Sequence, residues 1–237
     1  MLAAAFANRY ELDAITRIEL VMRDAGGERG RSALQYVAKR IDGRLHSIAR
    51  LVAPEHLRGV AILTIEQRDR NHDAFVFLPS LGRARRIAAA QRGDAFFGSD
   101  LSYGDFERRR VEEFDQLALE TAQHGGEAIY RIGAAPRGEA PYSRVEFDVA
   151  QADSAILEIR YFAGGEPSAV RVIEAPRADM VERGGHVLPT QLIVDDRARG
   201  SSTQLLVTGL RVNPPIPDRL FTVSALEQQR KLPEPHD

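Results

Sequence analysis

The sequence contains no cysteine and no tryptophan. Without cysteine there can be no disulfide, no thiolate metal site, no cysteine nucleophile and no lipid-bearing cysteine near the start. Oxidising and reducing compartments both remain open to such a chain. No apolar run approaches the ~20 residues that a membrane-spanning helix needs. Charge of one sign is not in excess either. The 32 basic and 34 acidic residues leave a net charge of −2 and a pI near 6.3, which argues against nucleic acid as the main partner, since that needs a basic stripe.

Catalytic signatures are missing as well. The histidines are His46, His56, His72, His124, His186 and His236, and no two stand at i,i+2 or i,i+4, so no strand-borne or helix-borne metal pair is visible. His46, His72 and His124 fall at or near turns and read as solvated. Ser99 lies in Gly-Ser-Asp rather than in a Gly-x-Ser-x-Gly elbow, and a turn role for its hydroxyl follows. Asp195 and Asp196 are neighbours, and in a strand neighbours point to opposite faces, so they cannot work together as acid and base. Gly164–Gly165 and Gly184–Gly185 are isolated hairpin glycines, not a phosphate loop. These motif rules give no enzyme, no cofactor and no metal site.

What the chain does have is period-two alternation. Ile18, Leu20 and Met22 alternate with other residues, two of them charged, and Gly26–Gly27 turns into a strand over Leu34 to Ile41. Asp42–Gly43 is a type I′ turn signal. Strands over Leu45 to Val52, Val60 to Glu66 and Phe75 to Leu78 follow. Beyond residue 107 come runs at Phe114 to Thr121, Ala128 to Ala134, Tyr142 to Val149, Leu157 to Tyr161, Val170 to Ala175, Val187 to Val194 and Leu205 to Val212. Helical character is read in a turn or two at Tyr10 to Thr16, in a short helix with Tyr103 and Asp105, and in Ala178 to Val181. No repeat and no linker interrupts the pattern, so residues 1–237 read as one antiparallel β domain of about ten strands. Residues 1–9 read as a flexible start and 228–237 as a tail.

The least ordinary residue order runs from Phe75 to Phe106. Phe75, Phe77 and Pro79 share one face of a strand and Val76 and Leu78 the other, which describes a strand buried on both sides and stopped by a proline that lacks a ladder donor. A short strand then carries Arg83, Arg85 and Arg86 into Ile87. Next come Phe96 and Phe97, a Gly-Ser-Asp turn, and a short helix with Tyr103 and Asp105. Arginines beside an apolar strand need carboxylates, and Asp100 and Asp105 are nearest in sequence. The bland reading is a buried clamp that pins this loop, with Arg85 or Arg86 on Asp100 or Asp105. The sharper one is a polar rim of Arg83, Arg85, Arg86, Asp100, Tyr103 and Asp105 around an apolar pocket, where the arginines also meet an anionic head group. Gly93 and Gly98 bracket the two phenylalanines as flexible points.

The same residues carry a family resemblance. Phe75, Phe77, Leu78, Pro79, Arg85, Arg86, Ile87, Phe96, Gly98, Ser99, Asp100, Tyr103 and Asp105 reproduce an order similar to that of the outer-membrane lipoprotein-sorting proteins, the LolA/LolB-like periplasmic domains. LVAPEHLRGVAILT (Leu51 to Thr64) looks like that family's Pro-x-x-x-x-Gly strand pair, and LFTVSALE (Leu220 to Glu227) resembles its closing segment. The resemblance implies a mainly β fold, a curved antiparallel sheet forming an incomplete β-barrel with short helices closing its mouth. It implies a periplasmic carrier that holds a lipid or lipoprotein acyl chain and passes it from an inner-membrane transporter to an outer-membrane acceptor, without a chemical step. The opening MLAAAFAN carries an Ala-Phe-Ala like a cleavage site but has no basic n-region and too short an apolar run, so the periplasmic location rests on the resemblance alone.

A carrier needs an apolar face that its own side chains do not fill. Leu20, Met22, Tyr36, Val60, Ile62, Phe75, Phe77, Phe96, Phe97, Ile129, Phe147 and Tyr161 are the candidates. The same residues also describe an ordinary filled core. Two classes therefore stand: a lipid or lipoprotein carrier, and a solidly packed structural or regulatory adaptor that docks a membrane transporter or envelope protein.

Overall fold

The fold was examined in a computed structural model, which describes every residue except 69, 70, 139, 236 and 237; His236 lies outside the described residues. Helix α1 (Leu2–Tyr10) comes first. It is followed by β1 (Ala14–Asp24), β2 (Gly27–Ile41), β3 (Arg44–Ala53), β4 (Ala61–Glu66), β5 (His72–Leu78) and β6 (Arg83–Arg86). After an irregular stretch come β7 (Phe114–His124), β8 (Glu127–Pro136), β9 (Arg144–Ala150), β10 (Ile156–Phe162) and β11 (Arg171–Glu174). The chain closes with β12 (Met180–Arg183), β13 (His186–Pro189), β14 (Gln191–Asp196), β15 (Ser201–Val212) and helix α2 (Val223–Glu227).

Thirteen strands form one antiparallel sheet in the order β6-β5-β4-β3-β2-β1-β15-β14-β11-β10-β9-β8-β7. β6 and β7 end that order without pairing, so the sheet is not closed; β12 and β13 form a separate hairpin. The mainly β, short-helix architecture is the expected one, with more strands than the ten anticipated. Part of the excess comes from Val187 to Val194, a single run by pattern. The run is broken at Thr190, whose N–H and hydroxyl both donate to the Asp179 carbonyl, at 2.7 and 2.8 Å. The helix expected at Ala178 to Val181 is instead a 3-10 turn (Arg177–Asp179) leading into β12. The Asp42–Gly43 turn is as read, with both residues at positive φ (51° and 74°).

The chain packs as two compact units. The first comprises Leu12–Met22, Arg29–Arg108 and Leu206–Asp237. Its strand register sorts side chains onto two faces. Tyr36 stands opposite Ala49, Ala49 opposite Ile62 and Ile62 opposite Val76. Val37, Ile48, Leu63 and Phe75 pair in the same way on the other face. That second face is covered by the C-terminal segment: Ile216, Leu220, Phe221, Leu226 and Leu232 pack with Ile15, Val37, Ile48, Ala61, Leu63 and Phe77. Thr222 Oγ1 caps α2 by accepting the Ala225 N–H at 3.1 Å. Residues 228–235 are more than a tail. Leu232 is buried, Gln35 Nε2 donates to the Pro233 carbonyl at 2.7 Å, and Arg17 pairs with Glu234 at 2.8 Å.

His46 departs from its reading as a solvated turn residue. It is buried on the C-terminally covered face, edge-on to Phe221 with centroids 6.1 Å apart, and neither ring nitrogen has a hydrogen-bond partner. Burial, reinforced by nearby Arg44, pulls its pKa below the usual 6.5 against the opposing pull of Glu66, Asp218 and Asp42.

The second unit comprises Met1–Glu11, Arg23–Glu28 and Arg109–Leu205. On one face Ile132, Phe147, Ile159, Ile173 and Val194 stand in line across β8, β9, β10, β11 and β14. Helix α1 meets this line. Phe6 lies edge-on to Phe147 at 5.5 Å and 6.1 Å from Phe114, and Leu2, Ala5 and Phe6 are buried. The expected flexible start is thus an ordered, docked helix. Its Ala-rich composition favours helix, and Phe6 supplies the apolar contact that a nine-residue helix needs to persist. The opposite face is charged. Fully buried Asp148 accepts from Arg131 Nε and Nη2, both at 2.9 Å, and from Arg160 Nη2 at 2.8 Å. Burial pushes the Asp148 carboxyl upward, but the two guanidiniums outweigh it and hold the pKa below 3.8.

Two outcomes test these contacts. Phe6→Ala removes a buried ring from α1 and should lower unfolding stability by about 3–5 kcal/mol, measured by urea titration; a change within about 0.5 kcal/mol would show that α1 is not docked. For His46, the unfolded chain takes up a proton near pH 6.5 and the folded chain only lower. Its contribution is therefore complete above pH 6.5 and is lost as pH falls from 6.5 toward the depressed folded value. The urea midpoint should drop over that window, and His46→Leu should flatten the drop; identical slopes in the two proteins would refute the burial effect.

Candidate functional site

Residues 88–108 of the first unit fold as a cover over the sheet face that carries Tyr36, Ala49 and Ile62. The local chemistry explains the shape. Phe96 N–H donates to the Leu101 carbonyl at 2.7 Å, and Ala95 bridges Ser102, so FFGSDLS is a tight reversal. Phe97 and Gly98 sit at its tip with φ of 44° and 81°. Gly98 is therefore a turn residue that supplies a left-handed conformation, not the free hinge that was expected. Ser99 Oγ donates to the Phe96 carbonyl at 2.6 Å, the turn role read from sequence. Asp105 accepts the Ser102 N–H at 2.7 Å and caps the 3-10 turn Tyr103–Phe106.

Aromatic rings make the contact. Phe96 is the hub, with Phe106 at 4.8 Å, Phe97 at 5.1 Å and Tyr103 at 6.1 Å between centroids, and Phe106 reaches Tyr36 at 6.5 Å. The sheet beneath is built of small side chains. Ala38, Ser47, Ala49, Thr64 and Ala74 share the face with Leu34, Leu51, Ile62 and Val76. Ser47 and Thr64 hydroxyls lie 2.7 Å apart, so one donates to the other, and the one that accepts is left to donate to the Phe106 carbonyl, which stands 3.3 Å from Ser47 Oγ and 3.2 Å from Thr64 Oγ1. Burial raises the Tyr103 phenol above its usual 10, opposed by nearby Arg85.

The polar ties of the cover differ from the expected clamp. Arg86 pairs with Asp73, and Arg83, Arg85 and Arg86 are largely exposed on β6. Buried Asp100 instead lies 3.7 Å from Arg29, and Asp105 is spent on its cap. Neither acid meets Arg85 or Arg86. The cover's C-terminal end is held by residues outside the predicted set. Glu107 lies 3.1 Å from Arg92 and 3.8 Å from His72. Arg108 lies 3.6 Å from Glu66, whose Oε2 also accepts the Leu45 N–H at 2.7 Å. Glu66, His72, Glu107 and Arg108 are all buried. His72, read from sequence as solvated, is thus a correction; Glu66 and His72 stand at strand ends, while Glu107 and Arg108 follow a 3-10 turn in a charged stretch that gave no sign of burial.

The predicted apolar residues divide between places. Tyr36, Val60, Ile62, Phe96 and Phe97 belong to the cover and the face beneath it, with Phe97 and Tyr36 half-buried. Phe75 and Phe77 belong to the opposite face and are packed under the C-terminal segment. Leu20 and Met22 are buried in β1. In the second unit, Phe147 and half-buried Tyr161 share a face, while Ile129 points the other way with Ala150. The twelve are not one surface. His124 also differs from its solvated reading: its Nδ1 stands 3.3 Å from Asp148. Ligand atoms of His124, Asp148 and Glu158 lie within 4.8 Å of one another, but Arg131 and Arg160 already take both oxygens of Asp148, which opposes a cation there.

Asp100→Ala removes a fully buried carboxylate that faces partly exposed Arg29 and should destabilise the protein by about 1–3 kcal/mol. Arg85→Ala, on an exposed strand, should stay within about 0.5 kcal/mol. Equal losses in calorimetric melts would restore the Arg85–Asp100 clamp.

A family model described as an uncharacterized protein matches residues 43–228. No curated protein matches the sequence. Among solved structures, the chain is similar to a domain designated outer membrane lipoprotein-sorting protein from Vibrio parahaemolyticus, with a TM-score of 0.84, 16% identity and 91% coverage of both chains. It is similar to a DUF1329 family protein from Desulfovibrio piger, with a TM-score of 0.82, 23% identity and coverage of 90% of this chain and 91% of that one. It is also similar to a LolA superfamily protein from Nitrosomonas europaea, with a TM-score of 0.73, 18% identity and coverage of 94% and 96%. The chain belongs to the family whose model spans residues 43–228, and its fold is the LolA-like one.

Proposed function

We propose that this protein is a non-enzymatic periplasmic carrier that takes the acyl chain of a lipid or lipoprotein onto the sheet face beneath residues 88–108. The observation that carries this reading is the make-up of that face. Small side chains at Ala38, Ser47, Ala49, Thr64 and Ala74 interrupt its larger ones, and the rings of the 88–108 segment, Phe106 beside Tyr36 and Phe96 beside Phe106, cover it. A cover made of rings on a separate segment can be exchanged for another apolar body. An acyl chain gains about 0.8 kcal/mol per buried methylene, so ten or more supply ample affinity without any chemical step. The likeness to a lipoprotein-sorting domain supports the same reading. In it the cargo passes between an inner-membrane transporter and an outer-membrane acceptor, with release coupled to displacement of the cover.

The adaptor reading has one observation in its favour. β7 is a long edge strand, and it exposes Leu117 and Leu119, at 58% and 43%, where edges are usually short or charged.

Native mass spectrometry of protein purified without detergent should show co-purified lipid. A fluorescent fatty acid should bind the wild type, and Phe97→Glu, at a half-buried position, should weaken it by about tenfold or more with little change in melting. Phe77→Glu is the wrong probe, since it charges the C-terminally covered core. If no lipid co-purifies and the fatty acid does not bind, the adaptor reading replaces the carrier.

A further inference from the structure

The first unit also holds a basin of about 980 Å³, lined beside the start of β3, the residues next to the end of β4 and the start of β5, and the run from the end of β6 to Arg92. Among the described residues its lining brings four arginines together, Arg44, Arg68, Arg86 and Arg92, with Asp73 as the one carboxylate. That acid is already engaged. Its Oδ1 receives Arg86, and its Oδ2 receives Gln67 Nε2 at 2.8 Å.

The arginines are partly pre-positioned. Arg92 is fixed from behind, with Nη2 donating to the His72 carbonyl at 2.6 Å and Nε lying 3.1 Å from Glu107. Arg44 is tied to Asp42 at 3.3 Å, but that acid is 79% exposed, so the pair is weak and easily exchanged. Arg68 is exposed and has no ion pair among the described residues. Among the described residues, even with Asp42 and Glu107 counted beside Asp73, four guanidiniums meet three carboxylates, and the excess charge is Arg68.

Each guanidinium has five N–H donors in a planar fork, and with two partners named for Arg92 and one each for Arg44 and Arg86, donors remain for a ligand. A basin that presents several such forks suits a ligand with several acceptor oxygens on one centre, and phosphate is that group. We propose that this basin binds phosphate, either as the free anion or as the head group of an anionic lipid. The proposal is independent of the apolar face: the basin can take a phosphate whether or not the cover ever moves.

The test is calorimetric titration of the full chain at low ionic strength with three probes. These are inorganic phosphate, dihexanoyl-phosphatidylglycerol below its micelle concentration, and dihexanoyl-phosphatidylcholine as the zwitterionic control. Phosphate and the glycerol diester should each give a saturable isotherm, with the choline lipid weaker than the glycerol lipid by about tenfold or more. Arg68→Glu and Arg86→Glu, both at exposed positions, should each weaken binding by about tenfold or more without moving the melting midpoint. Lys231→Glu, outside the basin, should leave it unchanged. A diester that binds tighter than inorganic phosphate identifies a lipid head group as the source, and equal affinities identify the free anion. The absence of a saturable isotherm for both anions would overturn the proposal. So would equal weakening by Arg68→Glu and Lys231→Glu, since that is diffuse charge attraction only.

Discussion

The first unit depends on one constraint: its sheet is apolar on both faces, so both must be covered. Strands that carry large apolar residues on both faces, as β4 and β5 do, cannot leave either side to water. One face is closed by the C-terminal segment through Leu220, Phe221, Leu226 and Leu232. The other is closed by the segment between β6 and β7, through Phe96 and Phe106. The two covers differ in kind. The C-terminal one interlocks with large side chains, among them Ile48, Leu63 and Phe77. The internal one rests on a mixed face, where alanines, a serine and a threonine stand among Leu34, Leu51, Ile62 and Val76, and polar ties hold its C-terminal end. Any function that needs an openable face falls to the second.

Charge follows the same logic of enclosure. An unpaired buried carboxylate is costly, and each buried acid here has an arginine within reach: Asp148 with Arg131 and Arg160, Glu107 with Arg92, Asp100 with Arg29, Glu66 with Arg108. All but two of the 32 basic residues are arginine. The fork geometry, which satisfies two carboxylate oxygens at once, suits that task better than a lysine point charge. Asp148 shows the balance: burial alone would raise its pKa, yet two arginines hold it low. Its stabilising contribution is thus present above pH 3.8 and lost only as pH falls toward the depressed folded value.

Much of the fold was legible because period-two alternation and Gly-rich turns are local signals. The Asp42–Gly43 turn, the strands around it and the Pro79 stop follow from residues within a few positions of one another. What failed was long-range. Ile62 and Phe77 are both apolar strand residues, but which face each joins depends on the β4–β5 register, and that places Ala61, not Ile62, opposite Phe77. Asp100 was assigned to the arginines nearest in sequence and found Arg29 instead. His46 looked solvated beside a turn, but the C-terminal segment that buries it lies about 170 residues away along the chain. Helix α1 was missed for a different reason. LAAAFANRY has high helix propensity, yet no side-chain cap marks its start, and its stability comes from Phe6 on Phe147, a contact that no window of sequence contains.

Under the carrier reading, these ties also decide which part of the cover moves. Glu107, Arg108 and Glu66 are buried charges, and separating such partners costs several kcal/mol. Phe96 and Phe106 are apolar, and exposing each costs about 1.5–3 kcal/mol, a loss that an incoming chain of ten methylenes, at about 8 kcal/mol, exceeds. The energetically open route keeps the Glu107–Arg108 end in place and lifts the aromatic reversal from residue 93 to 106. Among its ties to the face is one hydroxyl hydrogen bond on the Phe106 carbonyl, from the Ser47–Thr64 pair, of about 1 kcal/mol net. Asp100 sets the opposing condition. Its fully buried side chain faces Arg29 at 3.7 Å, so lifting the reversal must carry that carboxylate into water, where hydration replaces the arginine. Opening toward solvent meets this condition, and sliding deeper along the sheet does not.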